Sequence, residues 1–143
     1  MSDALQVFLN SDMVPGLNSA VLRLQEKGLE LEGWEKASSL TDVDGFWPGK
    51  LNGEDAGFEF SIDEVDDDDL EAWGVEQSQL EGRDLMMELC YYTEMDLAAA
   101  VLFISFICES CNGITFDEND ELTVTAANLK QWREALLGAD PLE

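Results

Sequence analysis

The sequence predicts an α+β domain with a largely antiparallel sheet and a buried central helix, on three observations. Residues 97–108 are apolar everywhere except at Ser105, so the helix they predict is greasy on all sides and belongs inside the molecule. The stretches 29–34 and 56–65 alternate apolar and polar residues, the two-residue period of a strand with one wet face. The stretches 17–27 and 129–137 space their apolar residues three and four apart, as amphipathic helices do. A chain of 143 residues has room for one domain with a sizeable core, whereas two domains would each be underfilled.

Leu5 to Asn10 is short, apolar and partly alternating, and reads as an opening strand that Pro15-Gly16 breaks off. Leu17, Val21, Leu22 and Leu24 follow helical spacing, and Lys27-Gly28 supplies a cation and a stop, so the first helix ends at Gly28. Leu29 and Leu31 share one face of a second strand toward Trp34, giving a strand, helix, strand opening. Glu35 to Asp44 is polar and reads as a loop. Gly45-Phe-Trp-Pro-Gly49 is too rich in glycine and proline for a long element, and Lys50 to Asp55 reads as a turn.

From Ala56 to Val65, Phe58, Phe60 and Ile62 fall on one side and Glu59, Ser61 and Asp63 on the other, a half-buried strand with an acidic outer face. Asp66 to Asp69 read as an acidic loop. Leu85 to Tyr92 is mostly apolar and is expected in the centre of the sheet. Thr93 followed by Asp96 is close to a capping box for the core helix, which Asn112-Gly113 stops. Ile114 to Phe116 predicts a short strand, Asp117 to Glu121 an acidic turn, and Leu122 to Val124 a return strand. Thr125 is a candidate cap for a last helix built on Leu129, Trp132, Leu136 and Leu137, which Gly138 and Pro141 end.

Charge is the chain's most unusual property. Thirty-two Asp and Glu face seven Lys and Arg, for a net charge of -25. Most carboxylates therefore lack a partner of opposite sign, and their repulsion opposes folding. Apolar residues at 45% and a mean hydropathy of -0.14 still place the chain among folded proteins. Direct binding to nucleic acid or to an anionic membrane is disfavoured, since both need cations to neutralise phosphate. The apolar run 97–108 is about half the roughly 20 residues that span a bilayer. The N-terminal residues have no basic and apolar signal pattern, so a cytoplasmic location is expected.

The sequence contains no histidine, which removes the commonest general base, the usual partner of a Ser or Cys nucleophile and the commonest zinc ligand. Cys108-Glu-Ser-Cys111 is a C-x-x-C at the exit of a helix, where the dipole raises a thiol pKa; together with Cys90 it reads as packing thiols. Neither aspartate-rich stretch has the glycine and glutamate spacing of an EF-hand, so no metal and no cofactor is expected. Between Leu51 and Gly82 there is no Lys or Arg, and carboxylates accumulate. That region gives the candidate binding surface: Glu59, Asp63, Glu64, Asp66, Asp67, Asp68, Asp69 and Glu71, with Trp73 as an apolar anchor; Trp47 fits a place beside them or in the core equally well. The expectation is a binding protein that presents this surface to a basic partner and blocks it. Two rivals are a DNA mimic, which needs charge spread along an elongated face, and a carboxylate-dependent metal hydrolase, which needs carboxylates converging on an ion. The oligomeric state is left open.

Gly45-Phe-Trp-Pro-Gly49 followed by Gly57-Phe-Glu-Phe60, and an alanine-rich buried helix followed by Gly113-Ile-Thr-Phe-Asp117, resemble small α+β immunity proteins that bacteria keep beside polymorphic or contact-dependent toxins. The resemblance spans residues 45–117 and transfers no individual functional residue. It implies a cognate toxin domain as the basic partner, occluded at or near its active site.

Overall fold

A computed structural model describes residues 3–33, 39–73, 75–117 and 122–137. Helix α3 (Glu94–Ser110) is the element the others cover, and residues 99–105 with Ile107 and Cys108 are buried in it. Its start is the expected capping box: the Asp96 amide donates to Thr93 Oγ1 at 3.1 Å and the Thr93 amide to Asp96 Oδ2 at 3.3 Å. Asp96 Oδ1 also accepts from the Gly57 amide at 3.0 Å, tying the helix to the approach of a neighbouring strand. At the exit Asn112 turns left-handed with φ 54°.

Four strands form the main sheet, in the order β1 (Asp3–Leu9), β7 (Leu85–Tyr91), β6 (Phe58–Glu64), β3 (Gly45–Trp47), all antiparallel. The 85–91 strand is central, as its apolar composition implies. The inner face packs on α3 through Val7, Leu9, Phe58, Phe60, Met87 and Leu89. Phe103 of the helix meets the rings of Phe60 and Phe58 edge-on at 5.4 and 5.6 Å. A second sheet, β2 (Leu29–Leu31), β4 (Gly49–Leu51) and β5 (Glu54–Asp55), turns Leu29, Leu31 and Leu51 into the same core. Helices α1 (Leu17–Glu26) and α4 (Leu129–Leu137) pack on α3, and the hairpin of β8 (Thr115–Asp117) and β9 (Leu122–Val124) lies against β1. The result is one α+β domain.

Several local expectations are corrected. The opening strand and the strand after α1 do not share a sheet, because β1 joins the main sheet and β2 the small one. Leu22 is 58% exposed; the buried stripe of α1 is Leu17, Ala20, Val21 and Leu24. Residues 45–51 are two strands, divided at Pro48, that enter different sheets. Lys50 to Asp55 forms a hairpin whose turn, Asn52-Gly53, has φ of 52° and 89°. Gly49 is required by proximity: a Cβ there would stand 2.7 Å from the Glu30 carbonyl oxygen. Within the expected 35–44 loop, Leu40 is buried at the start of a short 3-10 turn, Leu40–Asp42. The Thr125 cap holds, on the turn 126–128 that runs into α4: Thr125 Oγ1 accepts from the Ala127 amide at 3.3 Å and its own amide donates to Asn128 Oδ1 at 2.7 Å, while the helix itself starts at Leu129. The expected stop at Gly138 and Pro141, the turn residues 118–121 and Trp34 lie outside the described residues.

Candidate interaction surface

Strand alternation decides which acidic side chains share a face. On β6, Glu59 and Asp63 are exposed on the outer face and Phe58 and Phe60 are buried on the inner one. Glu64 is one residue out of phase with Asp63; it lies at the strand end and lines a crevice of about 430 Å³ with Val65, Gly82, Arg83 and Asp84.

The expected acidic loop is corrected to a helix, α2 (Asp67–Trp73). Asp66 is its N-cap, accepting from the Asp68 amide at 2.8 Å while its carbonyl accepts from the Leu70 amide at 3.1 Å. Negative charge in the first turn suits the helix dipole, so consecutive aspartates start the helix well. Leu70 anchors it: with Phe8, Leu80, Met86 and Ile114 it forms a second, smaller core on the outer face of the sheet. The aspartates therefore stand on a fixed platform, with Asp66, Asp67, Asp68 and Glu71 exposed. The side chains of Asp69 and Trp73 lie outside the described part of the molecule.

Arg83 fastens this platform. Its guanidinium is buried and donates from Nε to the Asn112 carbonyl at 2.9 Å and from Nη1 to the Leu80 carbonyl at 3.0 Å. Asp84 accepts from the amide and the hydroxyl of Ser11, at 2.7 and 2.9 Å, and these bonds hold its carboxyl below the usual carboxylate range.

The platform covers one end of the outer face and leaves the other open. There, Phe46 on β3 stands opposite Glu59 on β6, which stands opposite Cys90 on β7. Phe46 is 60% exposed and Tyr92, just past β7, 53% exposed. The Tyr92 hydroxyl donates to Glu59 Oε1 at 2.7 Å, and Gln6 Nε2 donates to Glu88 Oε2 at 3.1 Å. Both carboxylates are oriented by neutral donors. Desolvation raises the Cys90 thiol pKa, and Glu88 and Glu59 raise it further.

Phe46, Tyr92 and Glu88 are thus surface residues that sequence reading missed. Glu88 left a signal, as the one charged residue in the apolar 85–92 run. Trp47, which the sequence leaves open between this surface and the core, is a core residue, 2% exposed, with its ring edge-on to Phe60 at 5.7 Å. Its indole N–H has no hydrogen-bond acceptor among the described residues.

Cations gather elsewhere. Arg23 and Lys27 line a groove of about 170 Å³ between α1 and α3 together with Glu26, Glu109, Leu102 and Phe106, so the groove is of mixed charge. Arg133 of α4 donates to Ser105 Oγ at 3.3 Å and lies 3.8 Å from Glu109. Arg23, Lys27, Lys130 and Arg133 thus lie on or beside α1 and α4, where Glu26, Glu109 and Glu134 accompany them, whereas Glu59 and Glu88 on the outer face of the main sheet are held by neutral donors.

The C-x-x-C cysteines are packing groups: Cys108 and Cys111 are free and buried. Burial pushes the Cys108 thiol up to about 12 despite the opposing pull of Arg83, and raises Cys111 as well. Among the described residues no group of three or more Cys, Asp or Glu is placed to hold a metal ion, and no helix is long and apolar enough to cross a membrane. No protein-family model, curated protein or solved structure matches this chain.

Proposed function

We propose that this chain is a binding protein that neutralises a basic protein partner by covering its active site, as an immunity protein covers its cognate toxin in the cytoplasm. The observation that supports this reading best is a pair of carboxylates on the outer sheet face that neutral donors orient. Glu59 and Glu88 on the outer sheet face are held by Tyr92 and Gln6, not by cations, and α2 adds exposed Asp66, Asp67, Asp68 and Glu71 beside them in the chain. Such a face attracts a basic cleft at long range, raises the association rate and rejects acidic competitors. The fixed α2 platform lowers the ordering cost of binding. In this reading the chain has no active site of its own and contacts neither nucleic acid nor membrane.

The test is to isolate a protein that binds this chain at low salt and leaves it at high salt, and to assay that protein's own activity with the chain added. Stoichiometric inhibition is expected. A partner that keeps full activity when saturated would contradict the reading. Displacement of the chain from many unrelated DNA-binding proteins by duplex DNA would favour a DNA mimic instead.

A further inference from the structure

We propose that the open end of the outer sheet face is a receptor for an arginine side chain of the partner, with Glu59 as its carboxylate and Phe46 and Tyr92 as its aromatic walls. The inference rests on the reading of the chain as a binder of basic proteins, and says where on the acidic surface the specific contact is made.

The site is built by strand register. Phe46 and Glu59 are directly paired across β3 and β6, so their side chains leave the same face as near neighbours. Tyr92 reaches Glu59 from the end of β7 and fixes one of its oxygens through the 2.7 Å hydrogen bond. Glu88 is diagonal to Glu59 across β6 and β7, because Glu59 pairs with Cys90 two residues further along. Two carboxylates thus stand with two exposed rings in a small area, each carboxylate already oriented.

This combination has a preferred ligand. A guanidinium is planar, always charged and weakly hydrated; it accepts a carboxylate in its plane and an aromatic ring on its face at once. A lysine ammonium can use the carboxylates but gains less from the rings and loses more hydration. A second copy of the chain is a poor occupant, since a symmetric contact would press this face, on a protein of net charge -25, against itself. Anionic lipids and nucleic acid are repelled for the same reason.

The proposal is tested by titrating the isotope-labelled full chain, at low ionic strength, with a short glycine-spaced peptide carrying two arginines and with its two-lysine counterpart. Backbone amide shifts should centre on residues 45–47, 59–61 and 88–92, and the arginine peptide should bind several-fold tighter. Phe46→Ser and Glu59→Gln should each weaken the arginine peptide by roughly three- to fivefold. Both residues are exposed, so thermal midpoints should hold; Tyr92→Phe, which removes only the hydroxyl, gives a milder second variant. Shifts confined to residues 63–71, or equal affinity for the two peptides, would overturn the arginine receptor while leaving the acidic-binder reading intact. No shift anywhere with either peptide would contradict both.

Discussion

The buried guanidinium of Arg83 donates to the carbonyl of Asn112 at 2.9 Å, so the segment carrying the acidic helix is locked to the exit of the core helix. The same side chain reaches the Leu80 carbonyl, whereas its contact with exposed Glu81 at 3.4 Å is solvent-screened and contributes little. Arg83→Met keeps the aliphatic stem but takes the guanidinium from the Asn112 carbonyl, whereas the Leu80 carbonyl keeps the Arg83 backbone amide at 3.1 Å. It should cost about 2 to 3 kcal/mol in urea unfolding. In hydrogen exchange the amides of Leu70 and Val75 should lose protection before those of α3. Equal loss in both segments would show that Arg83 does not act locally.

Asp96 gathers three amides, from Gly57, Tyr92 and Thr93, at the start of the core helix. Asp96→Ala should destabilise the fold by about 1 to 2 kcal/mol, read as a lower urea midpoint with an unchanged slope. A neutral result would remove the cap from the account of how α3 is positioned.

The Asp84 carboxyl titrates below its ordinary value of 3.8 because Ser11 donates to it twice. A carboxyl depressed in the folded state stabilises that state above its unfolded pKa and loses the contribution as pH falls through the folded one. The effect is therefore present above about pH 4 and fades below it. A carbon-detected titration should place Asp84 below 3.8. Ser11→Ala, which removes the hydroxyl but not the amide, should move it part of the way back.

Cys108 sits at the opposite end of the scale, raised to about 12 by burial. Raised folded pKa values favour folding below the unfolded value near 9 and cost stability as pH climbs from there toward 12. Stability should decline above pH 9 and decline less in Cys108→Ala. With a thiol reagent near pH 8, half-buried Cys90 should react first, and Cys108 only after unfolding. Early labelling of Cys108 would contradict its packing role.

Much of the frame is written locally. The apolar run of α3, its Thr93 and Asp96 box, and the alternation around Phe58 and Phe60 each depend on neighbours in the chain, and the structure follows them. The surface was less legible because it depends on strands that meet across long separations. Nothing near Phe46 shows that it will face Glu59, and nothing near Tyr92 shows that its hydroxyl will reach the same carboxylate. Trp47 and Phe46 are adjacent aromatics with opposite fates, 2% and 60% exposed, because strand pairing fixes which one points inward. The four consecutive aspartates read as a loop since aspartate is a poor helix interior residue. Here they occupy the cap and first turn, where carboxylates are favoured, and burial of Leu70 holds the helix down.

The most direct test of the central claim is the association rate with a basic partner, measured by stopped flow across a range of salt concentrations for the native chain and for a variant with Asp66 to Asp69 changed to Asn. The native rate should fall on the order of a hundredfold from low to high salt, and the variant should associate more slowly with a flatter dependence. A native rate indifferent to salt, or a variant indistinguishable from it, would contradict the claim that this surface works by electrostatic attraction.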